Sequence, residues 1–340
     1  MKPNKTITSA LYFLIISLLI AGCAGNDAPN NGATGPANGT ANSEPPAAAL
    51  EKVTYAAFTG VSGLAVHFGA EKGFFEEEGL DVEFVTLKDP IAGLVSKEVD
   101  VVDVNTTAAI VSAGKGAPIK IVSSMFRTKG PFYLIANNDI ESIEDLKGKN
   151  VGSGVFGSGL DVYTQTILQA HGLTGDDVNF VANGSHEAAF ASLEANQVSA
   201  TIIHEPFASL AESTGKGKLL ATGWDYLPNF HTGVLAANQD FINEKPELLE
   251  KLLCAYFKSQ QYAKDNLDEF KEYYLTNTTI EPEILDQALE REMVLWENNP
   301  DVNFDHLVET QQIQLDLGFQ EEIYDVEQIV DLRFIPQGNP

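Results

Sequence analysis

From Val53 onward the chain alternates short β-rich runs with stretches of helical periodicity. Val53–Phe58, Asp81–Leu87, Val99–Val104 and Ile119–Ser124 carry the β-branched and aromatic residues of buried strands. Between them, Leu64–Lys72, Ile91–Lys97 and Thr106–Ala113 predict helices. A second set follows the same plan: strand Asn150–Gly154, helix Leu160–Ala170 closed by Gly172, strand Val178–Val181, helix Glu187–Ala195 and strand Ala200–Ile203. Ser142-Ile143-Glu144-Asp145 predicts a capping box opening a short helix ahead of it. Thr232–Ala237 reads as a further strand, and Pro246 to about Leu317 as mostly amphipathic helix. Strands separated by helices imply βαβ units with parallel sheets, so the fold class is α/β.

The two sets match at a constant offset of 99 residues. Leu94…Val99-Asp100-Val101-Val102…Asn105 aligns with Leu193…Val198-Ser199-Ala200-Thr201…His204. Each is a helix end, a tight turn, a buried strand, and a polar residue opening the next helix. Two similar lobes would put Asn105 and His204 at equivalent strand C-termini, where open α/β sheets bind ligands.

Four strand-to-helix junctions carry small polar residues: Thr59-Gly60-Val61-Ser62-Gly63, Asn105-Thr106-Thr107, the run from Gly152 through Phe156, Gly157 and Ser158 to Gly159, and His204-Glu205-Pro206. Helix N-termini offer unpaired N–H groups, and glycines let a ligand approach the backbone, so such sites hold an oxyanion without Lys or Arg. At a single junction, helix capping alone explains the residues. Four at one sheet edge point to a binding site. Trp224 and Phe156 are candidate stacking platforms, with His231 at the end of the aromatic stretch Gly223 to His231. Arg127, the only arginine between residues 51 and 290, can pair with an anionic ligand. The glycine run lacks dinucleotide spacing and P-loop Lys-Ser/Thr, and no nucleophile elbow or metal-spaced His pair occurs. No cofactor, metal or catalytic residue is expected.

The first 22 residues predict an export signal. Lys2 and Lys5 precede the small and apolar run Ala10 to Gly22, which is too short to span a membrane. It ends in Ile20-Ala21-Gly22-Cys23, which resembles a lipoprotein processing site with Cys23 as the lipidated residue. Residues 23–50 contain no Lys, Arg or aromatic side chain and predict a disordered tether. Cys254, in a helical apolar context, is expected to be a buried thiol. The 21 Lys+Arg against 48 Asp+Glu give a net charge of −27, which disfavours nucleic acid and anionic lipid as partners.

In order, Glu71-Lys72-Gly73-Phe74-Phe75 with Gly79-Leu80-Asp81-Val82, Val99-Asp100-Val101, Gly114 to Ile119, Ile143 to Lys149, and Ala200 to Phe207 resemble the solute-binding lipoproteins for nitrate, sulfonates, taurine and thiamine-pyrimidine precursors. The likeness runs from about Val53 to Gln260. It departs at Lys97, where Gly is usual, and at Ser199, where Asp is common. The resemblance implies a type II periplasmic-binding-protein fold, with two lobes joined by crossing strands near Phe132–Asn138 and Thr232–Asn238. On that plan, 51–138 with 239–340 forms lobe 1 and 139–238 forms lobe 2. It further implies a monomer that captures a small solute for an ABC-transporter permease, held outside the cytoplasm by lipidated Cys23. The alternatives are an enzyme of pyrimidine- or menaquinone-precursor synthesis on the same scaffold, or a tethered receptor domain. An export signal argues against cytosolic chemistry. Cys23→Ser should release the protein from membranes in fractionation while leaving solute binding unchanged; continued membrane association would refute the lipid anchor.

Overall fold

A computed structural model describes residues 49–337 except Thr59 and Ser62. The export signal, Cys23, nearly all of the tether, and the candidates Thr59 and Ser62 therefore lie outside the described residues. In chain order the strands are β1 (Glu51–Ala56), β2 (Leu80–Phe84), β3 (Val101–Asn105), β4 (Ile119–Ser124) and β5 (Tyr133–Ala136). They continue with β6 (Asn150–Gly152), β7 (Asn179–Val181), β8 (Ala200–Ile203), β9 (Lys218–Thr222) and β10 (Gly233–Asn238). They build two five-stranded sheets, ordered β2-β1-β3-β10-β4 and β7-β6-β8-β5-β9. The two orders are the same plan. β1, β2 and β3 run parallel, as do β6, β7 and β8, while β10 and β5 enter antiparallel at the fourth position.

This arrangement corrects two expectations. The sheets are mixed rather than parallel, because strand direction depends on which partner a strand meets, and periodicity carries no such information. The strands flanking the crossings also sit opposite to their expected lobes. Tyr133–Ala136 pairs with β8 and β9 in the second sheet, and Gly233–Asn238 pairs with β3 and β4 in the first. The crossings themselves are the segments 125–132 and 223–232, which precede these strands. β9 had no sequence expectation, while the helix Phe207–Ser213 follows the junction His204-Glu205-Pro206. β9 is a half-buried edge strand with a weak pattern.

The internal repeat reappears in the backbone. Lys97 (φ 63°) and Asn196 (φ 54°) are 99 residues apart and both left-handed, at the tight turn before β3 and before β8. Glycine avoids the roughly 1–2 kcal/mol cost of that conformation, which accounts for its use at such a turn.

Each sheet buries both faces. Val53, Tyr55 and Leu235 pack under Leu249, Leu252 and Phe257 of the long helix Pro246–Asp265, while Val102, Val104 and Ala236 meet Ala109, Ile110 and Leu307 on the other side. In the second sheet Leu134, Val151 and Ile202 pack with Val162, Tyr163 and Ile167, and Tyr133, Ile135 and Ile203 pack with Ala189, Leu193 and Ala208. Successive residues of β5 thus serve opposite cores, as strand alternation requires. The helix Phe304–Asp316 belongs to both halves. Its Leu307 lies in a first-sheet core, while Ile313, with Leu317 and Phe319 beyond the helix, packs against the second. Cys254 is half-buried rather than fully buried. Among the described residues no helix is long and apolar enough to cross a membrane, and no cluster could hold a metal ion.

Helix Leu64–Glu71 lies so close to helix Pro246–Asp265 that a Cβ at Gly69 would stand 2.2 Å from Ser259 Cβ and 3.0 Å from its Cα. Gly69→Ala should therefore destabilise the fold by about 1–3 kcal/mol through overpacking. Urea unfolding should show a lower midpoint at unchanged slope.

Candidate functional site

The ends of β3 and β8 open onto one cavity of about 260 Å³ between the sheets. Phe58, Asn105, Thr232 and Gly233 line it from the first-sheet side, and Val155, Ser158, Leu160, His186 and His204 from the second. Arg127 and Phe132, from the first crossing segment, complete the wall. Phe58 is held there by Asp103 in the middle of β3. One carboxylate oxygen accepts from the Tyr55 hydroxyl at 2.6 Å and the other from the Phe58 N–H at 2.9 Å. Burial pushes Asp103 up to about 6 against the pull of those bonds.

Ser158 and Asn105 stand at the starts of helices Gly159–Ala170 and Thr106–Gly114, yet neither side chain caps its helix. Capping does not explain these two residues. The Ser158 hydroxyl is buried with no hydrogen-bond partner among the described residues, and so is His204 Nε2. Buried polar atoms rarely stay unpaired, and both belong to the cavity wall.

The two histidines are stacked, with ring centroids 3.9 Å apart and planes 19° from parallel. The His204 backbone N–H donates to His186 Nδ1 at 3.3 Å, so a neutral His186 carries its proton on Nε2. Burial, reinforced by the Arg127 charge, brings His186 down to about 4. Burial, then His186 and Arg127, hold His204 well below the usual imidazole range. Phe132 packs against His204 with ring centroids 4.6 Å apart and planes tilted by 32°. Arg127 is itself buried. Burial lowers its pKa, and the negative charge of Glu292 is the foremost influence sustaining its protonation.

Of the sequence candidates, the structure brings Asn105, Arg127, Ser158 and His204 together in this wall. Gly157 adjoins it, with φ 76° and its N–H bonded to Asp161 Oδ2 at 2.9 Å. Phe156 projects outward, 59% exposed, and its neighbour Val155 faces the cavity instead. Gly60 (φ 100°) borders a separate, wider cleft between helices Phe207–Ser213 and Pro282–Glu292. Glu205 is buried and turned toward Arg291. Trp224 packs edge-on against Tyr133, in the core between the second sheet and helices His186–Glu194 and Phe207–Ser213, and does not line the cavity. Thr106 and His231 form a buried polar joint: the His231 ring bridges Thr106 Oγ1 at 3.0 Å and Ser124 Oγ at 3.3 Å, and its backbone N–H donates to Thr310 Oγ1 at 2.9 Å. Phe58, Phe132, His186 and Thr232 are wall residues that the sequence reading passed over. For His186 a signal existed, since Asn183-Gly184-Ser185 is a fifth strand-to-helix junction of the same kind.

A cavity between two α/β lobes of identical sheet plan defines the periplasmic-binding-protein class. The periplasmic aliphatic sulphonate binding protein SsuA from Escherichia coli superposes with a TM-score of 0.68 at 16% identity, over 86% of this chain and 94% of its own. The chain belongs to the NMT1/THI5-like family, whose model matches residues 64–269. It is 28% identical to YtlA of Bacillus subtilis, described as a binding protein, over 74% of this chain and 78% of YtlA. It is 27% identical to the formylaminopyrimidine-binding protein of Halalkalibacterium halodurans, over 62% of this chain and 66% of that one. An enzyme is also similar: the 4-amino-5-hydroxymethyl-2-methylpyrimidine phosphate synthase THI11 of Saccharomyces cerevisiae is 24% identical, over 62% and 66%.

Burial, with a contribution from His306, lowers His231 to about 4, below its ordinary 6.5. Between pH 4 and 6.5 the unfolded chain therefore takes up a proton that the folded chain does not, and stability falls on acidification by about 1.4 kcal/mol per pH unit from this group. His231→Asn should flatten the profile by that amount in that window, measured by urea unfolding at pH 4.5 and 7.

Proposed function

We propose that this protein is the extracytoplasmic solute-binding component of an ABC importer and that its two lobes close on a small planar solute. The observation that carries this reading is the pair of unpartnered buried groups, Ser158 Oγ and His204 Nε2, in a cavity walled by both lobes. The body, tethered to the membrane through Cys23, captures solute as a monomer and delivers it to the permease. Binding without chemistry is favoured because the Ser158 hydroxyl makes no hydrogen bond to either imidazole and so is not activated as a nucleophile.

A heteroaromatic solute of pyrimidine type fits the wall best. Phe132, His204 and His186 form an aromatic stack in the wall, and neutral imidazoles and Asn105 offer uncharged hydrogen bonds. Arg127 keeps a second reading open, a small organic anion such as a sulfonate, but the charge of Glu292 acts against it. Thermal-shift titration against pyrimidines and alkanesulfonates separates the two. At a hundredfold excess over Kd the true solute adds about 2.7 kcal/mol of stability. A shift with alkanesulfonates alone would reverse the choice of class, and silence from both would remove the solute reading. With the solute in hand, Asn105→Ala and Ser158→Ala should each weaken affinity by roughly 2- to 13-fold, the worth of one hydrogen bond. Unchanged affinity in both variants would move the site elsewhere.

A further inference from the structure

Helix Pro282–Glu292 is rooted in the first lobe, where Leu285, Ala288 and Leu289 pack into the core beneath Val53 and Leu235. Helix Phe207–Ser213 is rooted in the second, through Ala208 and Ala211. Arg291 joins them. Its Nη1 donates to Glu205 Oε1 at 3.2 Å and its Nη2 to Glu212 Oε2, and its guanidinium lies 5.9 Å from the ring centre of Tyr133 on β5. Gln287, one helical turn earlier, donates to the same Glu212 oxygen at 3.2 Å. The Glu205 side chain is fully buried, and its other oxygen accepts the Ser209 N–H at 2.9 Å. Glu205 directly follows His204, whose ring lines the solute cavity, while Arg291 is absent from that wall.

We propose that Arg291 is a positioning residue for solute capture: by pairing with Glu205 and Glu212 across the lobes it stabilises their closed arrangement and sets His204 in the cavity wall. This deepens the solute-binding reading and rests on it. A contact made only with the lobes together raises the closed fraction, and apparent affinity scales with the fraction competent to bind. A charge-assisted, partly buried bridge to two carboxylates can move that fraction considerably. Lysine keeps the charge but cannot span both partners with a planar fork.

The test uses the full chain carrying Cys23→Ser, with small-angle scattering of the solute-free protein as the first readout. Arg291→Gln should increase the radius of gyration relative to the parent, with Arg291→Lys and Glu212→Gln giving smaller increases in the same direction. The second readout is binding kinetics of a pyrimidine or alkanesulfonate that raises the melting temperature. Arg291→Gln should weaken apparent affinity about 10- to 100-fold, through faster dissociation, as for loss of a hydrogen bond to a charged group. If no solute in either class binds the parent protein, the function reading fails, and the scattering comparison still decides whether Arg291 holds the lobes together. Should Arg291→Gln fail to fold, Arg291→Lys and Glu212→Gln carry the test. Unchanged scattering and dissociation in the folded variants, with only a lower melting temperature, would make the bridge a merely structural ion pair and overturn the proposal.

Discussion

The second sheet is built from the consecutive strands β5 to β9, whereas the first, begun by β1 to β4, is completed by β10 only after the second is finished. β5 follows the first-lobe strand β4 yet inserts between β8 and β9, and β10 follows β9 yet inserts between β3 and β4. The chain must therefore cross between the sheets twice. The two crossings meet at Thr128 and Thr232, where the Thr232 N–H and hydroxyl both donate to the Thr128 carbonyl, at 3.1 and 3.0 Å. From these two crossings follow the position of the cavity and much of its wall. Arg127, Phe132, Thr232 and Gly233 line it because they lie on or beside those crossings. Bonding between the crossings gives the lobes a common axis while leaving the sheets separate.

Within the cavity, desolvation dominates the electrostatics. It pushes His186 and His204 toward the neutral form and Asp103 toward the protonated one. Arg127 remains a cation because a guanidinium starts far above neutrality and because Glu292 acts on it. The wall thus combines one neighbour-compensated cation with uncharged ring faces. That combination rewards shape and hydrogen-bond complementarity more than net charge. It also reverses the emphasis suggested by glycine-rich helix N-termini, which favour an oxyanion.

The C-terminal third does more than cover the first sheet. Helix Phe304–Asp316 reaches both cores, Thr310 accepts the His231 N–H, and Asn298 donates its backbone N–H to the Phe126 carbonyl at 2.6 Å. Arg291 and Glu292, at the end of helix Pro282–Glu292, act on different partners: one on Glu205 and Glu212, the other on Arg127. The segment with the least recognisable motif therefore carries many of the contacts between the halves.

Period and composition sufficed for what depends on neighbours in sequence. The α/β alternation, most strands within a residue or two, the capping box at Ser142 and the 99-residue repeat were all legible, because each is local. The repeat also named Asn105 and His204 as equivalent positions, and both line one cavity. Partner choice was not legible. A four-residue apolar strand such as Tyr133–Ala136 suits either sheet, so only the packed structure decided its lobe. The same holds for polar residues at the junctions. Thr106 and His231 look as eligible as Ser158, but a side chain that finds a buried partner is consumed by the core, and one that finds none stays in the cavity wall. Trp224 met Tyr133, Glu205 met Arg291 some 86 residues away, and Ser158 met nothing among the described residues. The sequence by itself determined the elements and named the two strand ends that meet at the cavity. Tertiary structure decided which residues face it, because pairing over long separations is a property of the packed chain and leaves no periodic trace along it.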